Sequence, residues 1–95
     1  MRIGDQILVK LDTSPDLFIL EISDKSKRAI TVWDNEEGFD AFWYGRRISA
    51  VWVRTPDLER DDGVWRCANV VSIFRRLLRD GLVGRCYAGV DYVQN

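Results

Sequence analysis

Apolar residues recur at every second position near the start of the chain. Ile7, Val9 and Leu11 share one face of an extended segment, which the polar residues 13–16 interrupt. Residues 17–22 form a second apolar run, residues 23–27 a polar turn, and residues 28–33 a third run. This pattern predicts a first strand followed by a β-hairpin made of the second and third runs.

The second half of the chain predicts a strand, a loop, a helix and a last strand. A fourth strand is predicted within residues 48–54, with an alternative start as early as Ala41, and residues 55–63 have the composition of an exposed loop. Asn69 is suited to cap a helix that Gly81 ends. At helical spacing, six apolar residues share one side of it: Val70, Val71, Ile73, Phe74, Leu77 and Leu78. Residues 83–93 return to a strand pattern, with Cys86 on its apolar face.

These elements predict a single α+β domain over residues 1–95, in the order β-β-β-β-α-β. The expected architecture is a strongly curled antiparallel sheet of about five strands with one amphipathic helix; the alternative is an SH3-like small barrel with a C-terminal helix and strand. Residues 17–20 and 50–53 are apolar on both faces of their strands. A single helix covers only one face, so we expect a homodimer to bury the face away from the helix.

The first half of the chain resembles the small SH3-like barrels of the Tudor kind. The resemblance rests on Gly4-Asp5 before a strand, the predicted hairpin over residues 18–32, and the segment from Trp33 to Gly38. In that family, a strand that ends in an aromatic and an acidic residue helps to build a cage for methylated side chains. The likeness spans about half of the chain. The first strand here lacks a clear aromatic residue, and the barrels do not require the added helix.

Composition and charge limit the range of functions. The 95 residues carry a formal net charge of −1, which argues against indiscriminate nucleic-acid binding. The first residues do not form a signal peptide, and the apolar runs are too short to span a membrane, so we expect a cytoplasmic protein. Cys67 and Cys86 match no metal-binding spacing and are expected to be buried free thiols.

The absence of histidine makes most acid–base chemistry near neutral pH improbable. Two carboxylate pairs are formal candidates for catalysis, Glu37 with Asp40 and Asp61 with Asp62. Both pairs lie in turn-like segments, where solvated charge is the ordinary explanation. No glycine pattern suits a phosphate or dinucleotide site. We therefore expect neither an enzyme nor a cofactor.

An aromatic segment is the strongest candidate for function. Three consecutive rings on a strand project to opposite faces, which is hard to bury in a small domain. Aromatic and arginine side chains are also frequent anchors at protein interfaces, although aromatic rings dominate cores too. The candidate binding residues are Trp33, Phe39, Phe42, Trp43, Tyr44, Arg46, Arg47, Glu37 and Asp40.

The prediction is a non-enzymatic binding protein that contacts itself, another protein or both. Two alternatives use the same residues. Indole faces near carboxylates suit a small cationic ligand, and exposed rings with Arg46, Arg47 and the helix arginines suit a nucleic-acid-binding SH3-like module, which the overall acidity opposes. A short chain of this kind also suits an accessory protein of a mobile genetic element.

Overall fold

A computed structural model of the chain describes residues 1–54 and 63–86. The strands are β1 Gln6–Leu11, β2 Leu17–Glu21, β3 Ile30–Asn35, β4 Gly38–Trp43, β5 Arg46–Val53, β6 Arg66–Ala68 and β7 Gly84–Arg85. The helices are α1 Ser26–Ala29 and α2 Val70–Arg79. Neither of these two helices combines the length and the apolar character that crossing a bilayer requires.

The strands form one mixed sheet in the order β2-β1-β5-β4-β3-β7, and β6 also pairs with β5. All pairings are antiparallel except that of β3 with β7. One edge of β5 pairs with β1. The other edge pairs with two strands: Arg46 and Arg47 pair with β4, and residues 51–53 pair with β6. Within the described residues the sheet does not close, which differs from the closed sheet of the barrel alternative.

The sheet bends between its two halves. Strands β2 and β4 are three positions apart in the hydrogen-bonded order, a separation of about 14 Å in a flat sheet. The ring centroids of Phe18 on β2 and Trp43 on β4 are nevertheless 5.2 Å apart. The α+β class is confirmed, but the sheet has seven strands and is mixed, whereas about five antiparallel strands were expected.

The core follows the predicted periodicities. Ile7, Val9 and Leu11 of β1 are fully buried, as their alternation indicates. In α2, the buried residues Ile73, Phe74 and Leu77 come from the predicted apolar side of the helix. Helix α2 packs on β3, β4 and β5 and therefore covers one face of the sheet.

The predicted hairpin between the second and third apolar runs is wrong. Strand β2 pairs with β1, and β3 pairs with β4. The connecting segment folds into the single-turn helix α1 because Ser26 is buried and its hydroxyl accepts a hydrogen bond from the backbone N–H of Ser23 at 2.9 Å. The same hydroxyl donates to the carbonyl of Glu21 at 3.4 Å. This turn separates β2 from β3.

The strand predicted within residues 48–54 is confirmed as part of β5, but the earlier start at Ala41 is wrong, because residues 41–43 belong to the separate strand β4. Strands β4 and β5 form a hairpin around Tyr44 and Gly45, whose φ angles are 48° and 79°. Positive φ at both positions is typical of a type I′ turn, which asparagine and glycine favour. An aromatic residue at the first position gives no sequence indication of such a turn, so the prediction missed it.

The helix boundaries match the prediction. The Asn69 side chain accepts a hydrogen bond from the backbone N–H of Ser72 at 2.9 Å, which makes Asn69 the N-cap of α2. Gly81 follows the helix with a φ of 73°, a conformation that glycine adopts without steric cost.

The predictions for the cysteines and for the last strand are confirmed only in part. Cys86 is buried as expected, but Cys67 is exposed, because it lies on the short strand β6 and points to the face opposite the core. Of the predicted strand over residues 83–93, the described part contains the two-residue strand β7. The remainder of that strand, and most of the predicted loop over residues 55–63, lie outside the described residues.

Candidate interaction surface

Tyr44 is the most exposed large apolar side chain in the part of the chain that the structure describes, at 70 %. Its backbone is held in the positive-φ region by the type I′ turn, and its N–H donates to the carbonyl of Ala29 at 2.8 Å. A bulky residue in this region is an outlier, and such residues concentrate at functional sites. The turn thus presents a tyrosine ring to solvent at some cost to stability.

Three rings form a continuous group that we call the aromatic corner: Phe18, Trp43 and Tyr44. The centroids of Phe18 and Trp43 are 5.2 Å apart, and those of Trp43 and Tyr44 are 5.7 Å apart. Trp43 is half-buried and packs against the core, whereas the Tyr44 ring extends into solvent. The corner therefore begins in the core and ends at the surface.

An open cleft of about 280 Å³ lies between β2 and the aromatic corner. We call it the edge cleft. Its walls come from β2, α1 and the start of the β4–β5 turn, and its lining includes Ile19, which is 58 % exposed, as well as Tyr44. The lining residues are Ile19, Leu20, Glu21, Ser23, Lys25, Ser26, Ala29, Ile30, Trp43 and Tyr44.

A second groove adjoins the edge cleft on the other side of Tyr44. Its volume is about 420 Å³, and its lining residues are Asp24, Lys25, Lys27, Arg28 and Tyr44. None of the ion pairs among the described residues uses its three cations. The surroundings of Tyr44 are therefore predominantly basic, with Asp24 and Glu21 as the nearby acids.

The structure separates the predicted acidic residues from Trp43 and Tyr44. Glu37 precedes the six-residue strand β4, and Tyr44 follows it, so the two lie about 20 Å apart along the strand. Asp40 binds the Arg47 guanidinium through its Nε at 2.7 Å. The geometry consequently does not place the predicted carboxylates of Glu37 and Asp40 beside the rings of Trp43 and Tyr44; the acids near these two rings are Glu21 and Asp24.

Arg47 is a structural ion-pair residue. Besides Asp40, it contacts Asp12 on the segment after β1, through Nη1 at 2.8 Å. Hydrogen bonds to Asp40, and secondly to Asp12, raise the pKa of Arg47 above its ordinary value. Arg46, which pairs in register with Trp43, is exposed and has no ion pair within the described residues.

Arg75 is also engaged, although the sequence places it on the solvated side of α2. Its Nε and Nη2 donate to the two carboxylate oxygens of Asp34 at 3.0 and 3.1 Å, and its guanidinium lies 5.5 Å from the Phe39 ring centroid. These hydrogen bonds lower the pKa of Asp34. Arg75 therefore ties α2 to the β3–β4 hairpin and is not free to follow a phosphate backbone.

The other predicted rings lie apart from the edge cleft. Phe42 is buried, at 3 % exposure, and Phe39 packs against the core. Trp33 is half-buried, and its ring lies 3.4 Å from the position that a Cβ on Gly38 would take. Of the nine predicted binding residues, Trp43 and Tyr44 line the cleft.

Two residues in the wall of the edge cleft, Ile19 and Lys25, were not among the predicted binding residues. Ile19 and Lys25 appeared as parts of a hairpin, and the pairing of β2 with β1 gives them a different setting. Among residues 1–54 and 63–86, no group of three or more candidate ligands could hold a metal ion.

No protein family, curated protein or solved structure was found to match this chain.

Proposed function

We propose that this protein acts by binding and that its functional form is a homodimer. The observation that carries the proposal is the distribution of exposed apolar side chains. Of the five large ones among the described residues, Leu17, Ile19 and Tyr44 lie on β2 or at the edge cleft. An apolar group of this kind on a small domain is typical of an interaction site.

The face of the sheet away from α2 adds to this surface. Ile19, Leu8 and Trp52 form one row across β2, β1 and β5, on the opposite side from the buried residues of β1. Leu8 and Trp52 are half-buried, and Ile19 is exposed. A second copy would remove Ile19, the exposed residue of this row, from water, which is favourable by about 25 cal/mol per Å² of apolar surface.

Binding without catalysis is also supported by the residues themselves. The chain has no histidine, and Asp40 is held in an ion pair with Arg47. Both cysteines are free, which suits a reducing compartment such as the cytoplasm.

The experiment is a mass measurement in solution by light scattering after size-exclusion chromatography, repeated from low to high micromolar concentration. We expect a mass of twice the 11.0 kDa of the chain. A mass equal to one chain at all concentrations would overturn the homodimer.

A further inference from the structure

We propose that two copies of the chain join through the free edge of β2, which pairs antiparallel with β2 of the second copy around a two-fold axis at Ile19. This inference rests on the proposed homodimer and names the surface that forms it. Strand β2 stands at the end of the strand order and, among the described residues, pairs with β1 alone. An unprotected edge strand is a template for pairing with another chain.

The hydrogen bonds of Ile22 show which backbone groups of β2 are available. The N–H of Ile22 donates to the carbonyl of Asp5, and its carbonyl accepts from the N–H of Gly4, both at 2.8 Å. Ile22 therefore faces β1. Because backbone groups alternate in direction along an antiparallel strand, Leu20 also faces β1, while Ile19 and Leu17 direct their N–H and C=O groups to the free edge.

The side chains along this edge are mainly apolar, and the one charged residue of β2, Glu21, lies at its end. Leu17 and Ile19 are 50 % and 58 % exposed, and β2 contains neither proline nor lysine. The edge cleft leaves open space beside the strand. With Ile19 opposite its own copy, Leu17 of each chain lies opposite Glu21 of the other, and a short continuous ladder forms.

Charges at the two ends of β2 match this arrangement. Asp16 lies immediately before the strand, and Lys25 lies beyond its end, on the wall of the edge cleft. An antiparallel two-fold pairing brings Asp16 of each copy to the Lys25 end of the other. Neither side chain has an ion-pair partner among the described residues. Because the axis is two-fold, the assembly closes as a dimer.

Stacking of the two outer sheet faces is the competing geometry, and it makes a different prediction for one amide. Both arrangements bury the Ile19 side chain, but only edge pairing gives the Ile19 N–H an acceptor. Amide hydrogen exchange followed by NMR therefore separates them. We expect the Ile19 amide of the dimer to be protected, like that of Leu20. Exchange of the Ile19 amide at the rate of a free amide would overturn edge pairing.

Variants at the proposed edge test the same pairing by measuring the mass of the assembly in solution. Ile19→Lys places two ammonium groups side by side at the axis, and we expect the dimer dissociation constant to rise by more than about a hundredfold, as for a central interface residue. The matched control is Ile3→Lys, because Ile3 is 61 % exposed and lies outside the edge cleft. We expect this control to remain dimeric. A fully dimeric Ile19→Lys variant would overturn the proposed surface while leaving the homodimer intact.

If Ile19→Lys fails to fold, variants that exchange the charges of Asp16 and Lys25 test the same pairing. Asp16→Lys and Lys25→Asp should each weaken the dimer by about tenfold, since two exposed pairs per dimer become repulsive. The double variant should recover most of the loss, because the exchanged charges face each other again. Additive losses in the double variant would contradict the antiparallel two-fold register. A monomeric wild-type chain would instead refute the homodimer itself.

Discussion

Tyr44 occupies a backbone conformation that is more costly for a tyrosine than for an asparagine. In the left-handed region, Cβ crowds the following carbonyl, at a cost of about 1–2 kcal/mol for most residues, whereas asparagine is favoured at this position of a type I′ turn. The φ of 48° at Tyr44 shows that this chain accepts that cost. The exposed ring returns little packing energy, which fits the proposed role of Tyr44 in contacts outside the chain.

Replacing Tyr44 should therefore separate stability from binding. We expect Tyr44→Asn to be more stable than Tyr44→Ala by about 0.5–1 kcal/mol in urea unfolding, because both variants lose the ring but only asparagine suits the positive φ. Both variants should weaken the dimer, since each lacks the ring beside the edge cleft. Equal stability of the two variants would show that the backbone of this turn is unstrained.

At the scale of elements, periodicity predicted the helices and strands that depend on neighbouring residues. It did not predict which strands pair, because pairing depends on residues that are distant in the sequence. The helix α2, its Asn69 cap and the strand β1 follow from local patterns. The pairing partner of β2 does not follow from local patterns, because residues 17–22 could pair equally well with the strand before them or the strand after them. The choice depends on Ser26, whose buried hydroxyl holds the turn of α1. The edge cleft was missed for the same reason.

The ion pair between Arg75 of α2 and Asp34 of the β3–β4 hairpin should make the stability of the protein depend on pH. Hydrogen bonds from Arg75 lower the pKa of Asp34 below its ordinary value of 3.8. A carboxylate with a lowered folded-state pKa adds stability above its unfolded pKa, and this stability is lost as the pH falls through the folded pKa. We expect the unfolding free energy of the wild type to fall more steeply than that of Asp34→Asn below about pH 4.

Urea unfolding at a series of pH values measures this difference. Glu37→Gln is the matched control, because Glu37 is an exposed carboxylate with no ion pair within the described residues. It should reproduce the wild-type slope. If Asp34→Asn shows the wild-type slope as well, the ion pair with Arg75 does not contribute to stability in solution.

At the scale of the whole molecule, Trp43 connects the two halves of the bent sheet. The sequence predicted Trp43 as one of the candidate binding residues. In the structure it is half-buried, packs against the core and contacts Phe18 on β2. The aromatic segment could be located from composition, but the division between core and surface depends on the bend, which no local pattern encodes.

Truncation of Trp43 should accordingly affect folding as well as binding. We expect Trp43→Ala to lower the free energy of unfolding by about 2 kcal/mol, roughly half of the cost for a fully buried large ring. Trp33→Ala provides the comparison, because Trp33 is also half-buried but is not among the side chains packed on the core. Its effect should be smaller. The opposite ranking would mean that the contact with Phe18 does not hold the halves together.

The position of β5 also bears on how the chain is completed during synthesis. Strands β1 and β2 form one hairpin and β3 and β4 another, and among the residues that the structure describes, the hydrogen-bonded connection between the two hairpins runs through β5. Two-stranded hairpins are marginal in water by themselves. A nascent polypeptide emerging from the ribosome must therefore expose residue 53 before the whole of β5 can join the two hairpins by hydrogen bonds.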